Sequence, residues 1–287
     1  MEKKRPTSLT GGLKKDPPDN RDYRFTSLPD DKRIYKTAEA LPSRIDRMLE
    51  MSSVKNQKEL GACVAFAACA LKEWQEKKEY DAEVVQGATP RKEEPEYNFS
   101  EQWVYWNCKK IDPWPDEQGT NFRSALKVLH KIGVPIEAAW PYSDNPIDIG
   151  EPSKWAHLIA KWGAIDSYWR IEPYIPELRE GLAESPVLIG IPCFEEIYGD
   201  LVDGIIPYPA DPNQSYGDHA VLAIGYDDDT ERITIKNSWS KLWGAEGYGY
   251  LPYRYVDDFA SDFWMAKDMS VTPDMLKQAR SLIEEGE

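Results

Sequence analysis

At 287 residues, with 41% apolar side chains, 11 Trp and 16 Tyr, the chain can bury a core as one large domain or two modest ones, which excludes wholesale disorder. Fifty acidic residues against 35 basic ones leave a net charge of −15, a surface that repels phosphate backbones and excludes nucleic acid as a natural partner. No run of about 18 apolar residues occurs, so no membrane span or membrane partner is expected.

The opening Met1-Glu2-Lys3-Lys4-Arg5-Pro6 carries charge with no apolar segment behind it, so no secretory signal is visible and a cytoplasmic or otherwise intracellular setting is expected. Residues 1–40 are polar and rich in Pro, Asp, Lys and Arg. Asp16-Pro17-Pro18-Asp19-Asn20-Arg21-Asp22-Tyr23 reads as extended or turn-like chain, so this is an arm and not a domain. Such an arm could lie over a cleft as a cover, pack as a strap, or fray.

From Ala62 to Leu71 the chain is apolar nearly all round, then charged from Lys72 to Lys78, which predicts a helix with a buried first half and a solvated second half. Residues 81–97 read as a polar surface loop. Ser100 is placed to cap a helix over Glu101–Lys110, and Asn121 a helix through His130 that closes at Gly133. The stretch 141–176 mixes Pro and Trp with no clear period. Leu178–Glu184 predicts a short helix before a strand at Val187–Ile191. Further strands are predicted at Ala220–Tyr226, Arg232–Asn237 and Gly247–Pro252, and a terminal helix at Asp274–Glu285. Helices gather in the first half and strands in the second, which predicts an α+β fold of two lobes. The divisions are an arm (1–40), a mainly helical lobe (41–140), a mainly antiparallel β lobe (141–270) and a C-terminal helix (271–287).

The cysteines at 63, 69, 108 and 193 are few and irregularly spaced, with no CxxC pair or histidine cluster to suggest zinc. Reduced thiols and no cofactor are expected. Cys63 stands apart, because it follows Gly61-Ala62 at the start of the apolar helix. A free thiol is mostly protonated near neutral pH, and a helix N-terminus favours its thiolate. An inert cysteine filling core volume is the alternative, and the one preferred for Cys69, Cys108 and Cys193.

A base for that thiol is available in His219. The acidic turn Asp227-Asp228-Asp229-Thr230 separates two β-prone runs, and if Asp227 pairs with Glu231, His219 falls opposite Trp239. His219, Asn237 and Trp239 then share a face, where the Asn237 carbonyl could hold one ring nitrogen and leave the other for the thiol. A slip of one residue would undo this. Acyl transfer also needs a donor for the developing oxyanion, and the Cys63 N–H and the Gln57 side-chain amide are the candidates. His130 and His157 have no such company.

Together these residues resemble the papain-like cysteine peptidases. The matching segments are Asn56-Gln57 with Gly61-Ala62-Cys63-Val64-Ala65-Phe66-Ala67, Asp218-His219-Ala220-Val221 with Gly225-Tyr226, and Lys236-Asn237-Ser238-Trp239 with Trp243-Gly244. Gly247-Tyr248-Gly249-Tyr250-Leu251-Pro252-Tyr253 and Leu41-Pro42-Ser43-Arg44-Ile45-Asp46 are similar to further family segments, and the resemblance spans about residues 41–270. It implies a two-lobed papain-like fold with the cleft between a helical lobe carrying Cys63 and a β lobe carrying His219 and Asn237. The implied roles are Cys63 nucleophile, His219 acid/base, Asn237 orienter and Gln57 oxyanion donor. Gly119 and Thr120 resemble the family's glycine-rich edge that pairs with substrate backbone, and Asp218 and Trp239 flank the cleft. Leu60, Lys58, Val64 and Ser240 depart from the familiar animal and plant motif and look more like the prokaryotic branch. The implied activity is hydrolysis of peptide or protein substrates, as an endopeptidase or exopeptidase. A silent papain-like binding protein and a transpeptidase or ligase are the rival readings.

Overall fold

The computed structural model describes residues 11–27, 41–85, 97–144 and 150–268. The predicted terminal helix at Asp274–Glu285 lies outside the described residues. Helix α1 (Cys63–Val85) is the axis of the fold. Ala65, Ala67, Ala68 and Ala70 have high helix propensity and short side chains, so other elements can approach α1 closely on every side, and Cys63–Gln75 is buried without a break. The helix continues through Val85, so the loop predicted for 81–97 is corrected over its first five residues. Ala82 and Glu83 there have high helix propensity, which the polar character of the segment had masked.

Helix α2 (Glu101–Ile111) begins where Ser100 accepts from the Trp103 N–H at 3.1 Å, and α3 (Phe122–Lys131) where Asn121 accepts from the Ser124 N–H at 3.0 Å. Both helices carry basic residues in their last turn, which suits the dipole. These two capped starts agree with the sequence reading.

Among the described residues, seven strands form one antiparallel sheet: β1 (Arg44–Asp46), β2 (Ile165–Ile171), β3 (Val187–Pro192), β4 (Asp218–Asp227), β5 (Arg232–Lys236), β6 (Tyr248–Pro252) and β7 (Ser261–Asp268). Their spatial order is β2-β7-β3-β4-β5-β6, with β1 also on β4. Side chains alternate across β4, and each face feeds a different core. Ala220, Leu222 and Ile224 join α1, α2 and α3, whereas Val221 and Ala223 join α5 (Ile175–Glu184) and α6 (Tyr253–Phe259).

Helix α4 (Lys154–Ala160), α6, β1, β2 and β7 were not anticipated. β2 is an edge strand with most of its residues half-buried, so it lacks the clean alternation that marks a strand in sequence. Its partner β7 is supplied from about a hundred residues downstream by a long-range pairing, Ile171 with Phe263 and Tyr168 with Ala266. His157 lies on α4, edge-on to Trp103 at 4.8 Å, and His130 faces the Ile165 carbonyl at 3.2 Å. All four cysteines are free thiols, and no helix among the described residues is long and apolar enough to cross a membrane.

Candidate active site

Cys63 is the first residue of α1 and is fully buried. The Ala220 N–H on β4 donates to its Sγ at 3.4 Å, and the backbone N–H groups of Gly12, Val64 and Cys63 itself also point at the sulfur. A residue 157 positions away in sequence thus touches the thiol, and His219 is its chain neighbour.

The β4–β5 hairpin brings Asn237 to His219, by a route the sequence reading had only half right. Asp227 pairs with Arg232, not Glu231, which corrects the predicted register at the turn. The register then shifts between Ala223 and Gly225, and beyond it Leu222 pairs with Lys236. The bulge at Ile224 adds one residue on β4 and restores the predicted facing at the far end. His219 Nε2 there meets Asn237 Oδ1 at 2.8 Å, and Trp239 stacks on the imidazole with centroids 4.4 Å apart and planes at 25°. With Asn237 on Nε2, His219 Nδ1 is the free nitrogen; it is buried and makes no hydrogen bond. Burial pushes the Cys63 thiol up to about 11 and the His219 imidazole down to about 4, with Asn237 opposing the latter. Both partners are therefore neutral as the site stands.

Gln57 is fully buried and fixed at several points. Its Oε1 accepts from Ser238 Oγ at 2.6 Å, its N–H donates to the Ser238 carbonyl at 2.9 Å, and its Nε2 donates to the Leu60 carbonyl at 3.0 Å. The Tyr142 hydroxyl donates to the Gln57 carbonyl at 2.8 Å. Ser238 and Tyr142 were not picked out from the sequence as positioning groups. Ser238 could have been, since it neighbours Asn237, but Tyr142 lies in the unassigned stretch.

Gly119 and Thr120 form one edge of the strip that residues 11–14 occupy. The Gly119 N–H donates to the Tyr105 hydroxyl at 3.2 Å, Lys109 Nζ donates to the Gly119 carbonyl at 2.8 Å, and Gln118 Oε1 accepts from the Gly61 N–H at 3.0 Å. Asp218 forms the opposite edge, its carboxyl pushed upward by partial burial and faced by Lys15 Nζ at 3.6 Å.

Between these edges runs the chain of residues 11–14. The Leu13 N–H donates to the Asp218 carbonyl at 3.1 Å, the Thr120 N–H donates to the Gly12 carbonyl at 2.9 Å, and the Lys14 N–H donates to the Thr120 carbonyl at 2.8 Å. Only glycine fits at 12, because a Cβ there would sit 2.3 Å from the Gly61 carbonyl oxygen. Leu13 is buried, with its Cδ2 only 2.5 Å from where a Cβ on Gly190 would be.

Comparison with known proteins bears on the family and the fold. The family model described as papain family cysteine protease matches residues 41–257. A peptidase C1-like protein of Acanthamoeba polyphaga mimivirus is 28% identical over 90% of this chain and 87% of its own length. Xylellain, a cysteine protease from Xylella fastidiosa, superposes with a TM-score of 0.77 at 29% identity, over 94% of this chain and 100% of the solved one. The cysteine protease of Carica candamarcensis, solved in complex with E-64, shares the fold at a TM-score of 0.59 and 22% identity, over 80% of this chain and 100% of that one. Against the rice cysteine endopeptidase Rep1, which is 26% identical over 75% of this chain, the match spans about half (54%) of the relative's length. The chain belongs to the papain family of cysteine proteases.

Proposed function

We propose that the protein hydrolyses peptide bonds through an acyl-enzyme on Cys63. In this reading His219 Nδ1 takes the thiol proton, the thiolate attacks the substrate carbonyl carbon, and an S–C bond forms. The C–N bond then breaks as His219 returns the proton to the leaving amine. A water deprotonated by His219 next adds to the thioester and releases the acid, restoring the thiol. Asn237 holds the ring through Nε2, Trp239 covers that hydrogen bond, and the Cys63 N–H with the second Gln57 amide hydrogen receives the oxyanion.

The observation that carries this reading is the thiol at a helix start, bonded to the amide of Ala220, whose chain neighbour His219 has its Nε2 held at 2.8 Å by Asn237. Residues 11–14 act in the same reading as a cover. The Gly12 N–H is turned to the sulfur and its carbonyl to Thr120, so no carbonyl carbon of Gly12 is offered for attack. A thiol-directed epoxide inhibitor, mapped by mass spectrometry, tests the reading. It should modify Cys63 ahead of the other three thiols, and Cys63→Ala should abolish turnover of a peptide substrate with the fold intact. Full activity in that variant refutes the mechanism.

A further inference from the structure

Beyond the groove the arm is fastened by a buried ion cluster with one carboxylate too many. Arg123 on α3 grips Asp22 of the arm at 3.0 Å from Nε and at 2.7 Å from a terminal nitrogen, which also donates to the Pro17 carbonyl at 2.8 Å. Arg170 on β2 donates to Asp262 on β7 at 2.6 Å and lies 3.6 Å from Asp22. Each guanidinium is thus committed to another acid. Asp16 of the arm, only 6% exposed, is left with a 3.5 Å approach from Arg123, and its Oδ1 makes no hydrogen bond. Its Oδ2 accepts from the Trp264 indole at 3.0 Å and the Arg123 N–H at 3.3 Å, while its own N–H donates to Asp262 at 2.9 Å. Tyr168 on β2 completes the charged and titratable groups facing it. Asp262 reaches this position from a left-handed backbone, φ 53°, a conformation that a non-glycine residue rarely adopts. Three carboxylates facing two cations in a buried cluster favour a proton on the one without a cation of its own.

We propose that docking of the arm takes up a proton at Asp16, so that the strap closes over the groove in acid and loosens as pH rises toward neutrality. This inference rests on the reading of residues 11–14 as a cover. Burial, reinforced by the Asp262 charge and opposed by Arg123, raises the Asp16 carboxyl from 3.8 to about 7. A free arm in solvent gives up that proton at the ordinary value. At Asp16 the docked state therefore holds more protons across the window from 3.8 to about 7, and this one site's contribution to docking falls about tenfold per pH unit through it before levelling off above. Asp218 and His219 at the groove also titrate with docking, Asp218 in the same sense and His219 in the opposite one, so the test must isolate Asp16.

The rate of Cys63 alkylation by iodoacetamide, read by peptide mapping on the full chain from pH 5 to 8, reports the undocked fraction. Gly12→Val, which cannot cross Gly61, supplies the fully undocked rate at each pH and cancels the reagent's own pH dependence. The wild-type rate, divided by that reference, should climb across the range at least tenfold more steeply than in Asp16→Asn, which carries no proton to lose. Asp262→Asn, lacking the neighbouring negative charge, should start its climb at lower pH. Equal slopes in wild type and Asp16→Asn overturn the proton clamp while leaving the cover in place. A wild-type ratio of one at every pH overturns the cover itself, and the clamp with it.

Discussion

Leu13→Ala is the perturbation that most directly measures how tightly the arm is held. The side chain is 5% exposed, wedged against Gly190 and sharing one apolar cluster with Leu188, Ala220 and Trp264. Burying a leucine is worth about 1.5–3 kcal/mol, and alanine keeps only a fraction of that. The pocket opens to water when the arm leaves, so the additional cost of a trapped cavity is only partly incurred in the docked state. A loss of about 2 kcal/mol is the reasoned value, equivalent to about thirtyfold in the docking constant. Cys63 alkylation at a fixed pH should therefore accelerate by about that factor, or until it meets the ceiling set by Gly12→Val. A Leu13→Ala rate within twofold of wild type, with Gly12→Val much faster, would refute the claim that this side chain anchors the arm.

Other outcomes follow from the same geometry. Ser238→Ala removes the hydroxyl that Gln57 Oε1 accepts from at 2.6 Å, so kcat should fall about tenfold with KM nearly unchanged, as for a group acting in the transition state; an equal change in KM alone argues against it. The His219 imidazole, lowered to about 4 by burial, should titrate near that value by NMR in the full chain and move upward in Gly12→Val. Because its folded value lies below the ordinary 6.5, its contribution to stability is complete above 6.5 and is lost as pH falls toward 4. An unfolding midpoint that rises through that window as the solution is acidified contradicts the sign, once His219→Gln is shown to remove the dependence.

The chemistry was more legible in the sequence than the sheet that assembles it. Ser100 and Asn121 announced their helices because a cap is a local device, decided within three residues. The Cys63 helix announced itself through an apolar run too long and too Ala-rich for anything else. β2 and β7 gave no such signal: their stability comes from each other, across about a hundred residues, and an edge strand with two half-wet faces has no period to read. The Ile224 bulge was invisible for a related reason. A run of small and branched residues such as Ala220–Tyr226 does not show which residue will be left unpaired.

That bulge bears on how the site tolerates change. The turn Asp227–Arg232 is one residue out of step with the pairing at Leu222–Lys236, and the offset is absorbed in the interior of the hairpin, between the turn and the histidine. Had the pairing at the turn continued without a shift, Trp239 would not have come opposite His219, and the face shared by His219, Asn237 and Trp239 would have been broken, since a slip of one residue inverts a strand's faces. Inserting one residue between Val221 and Leu222 should therefore be far more damaging than deleting Ile224, which only leaves Ala223–Ile235 to follow Gly225–Thr234 as a regular ladder. The insertion inverts the half of β4 that carries His219 and abolishes its 2.8 Å bond to Asn237, while the deletion keeps both flanking registers and costs the packing of one buried side chain. Turnover surviving the insertion but lost on deletion of Ile224 would mean that the bulge itself, and not the register at Leu222–Lys236, sets the facing of the two residues.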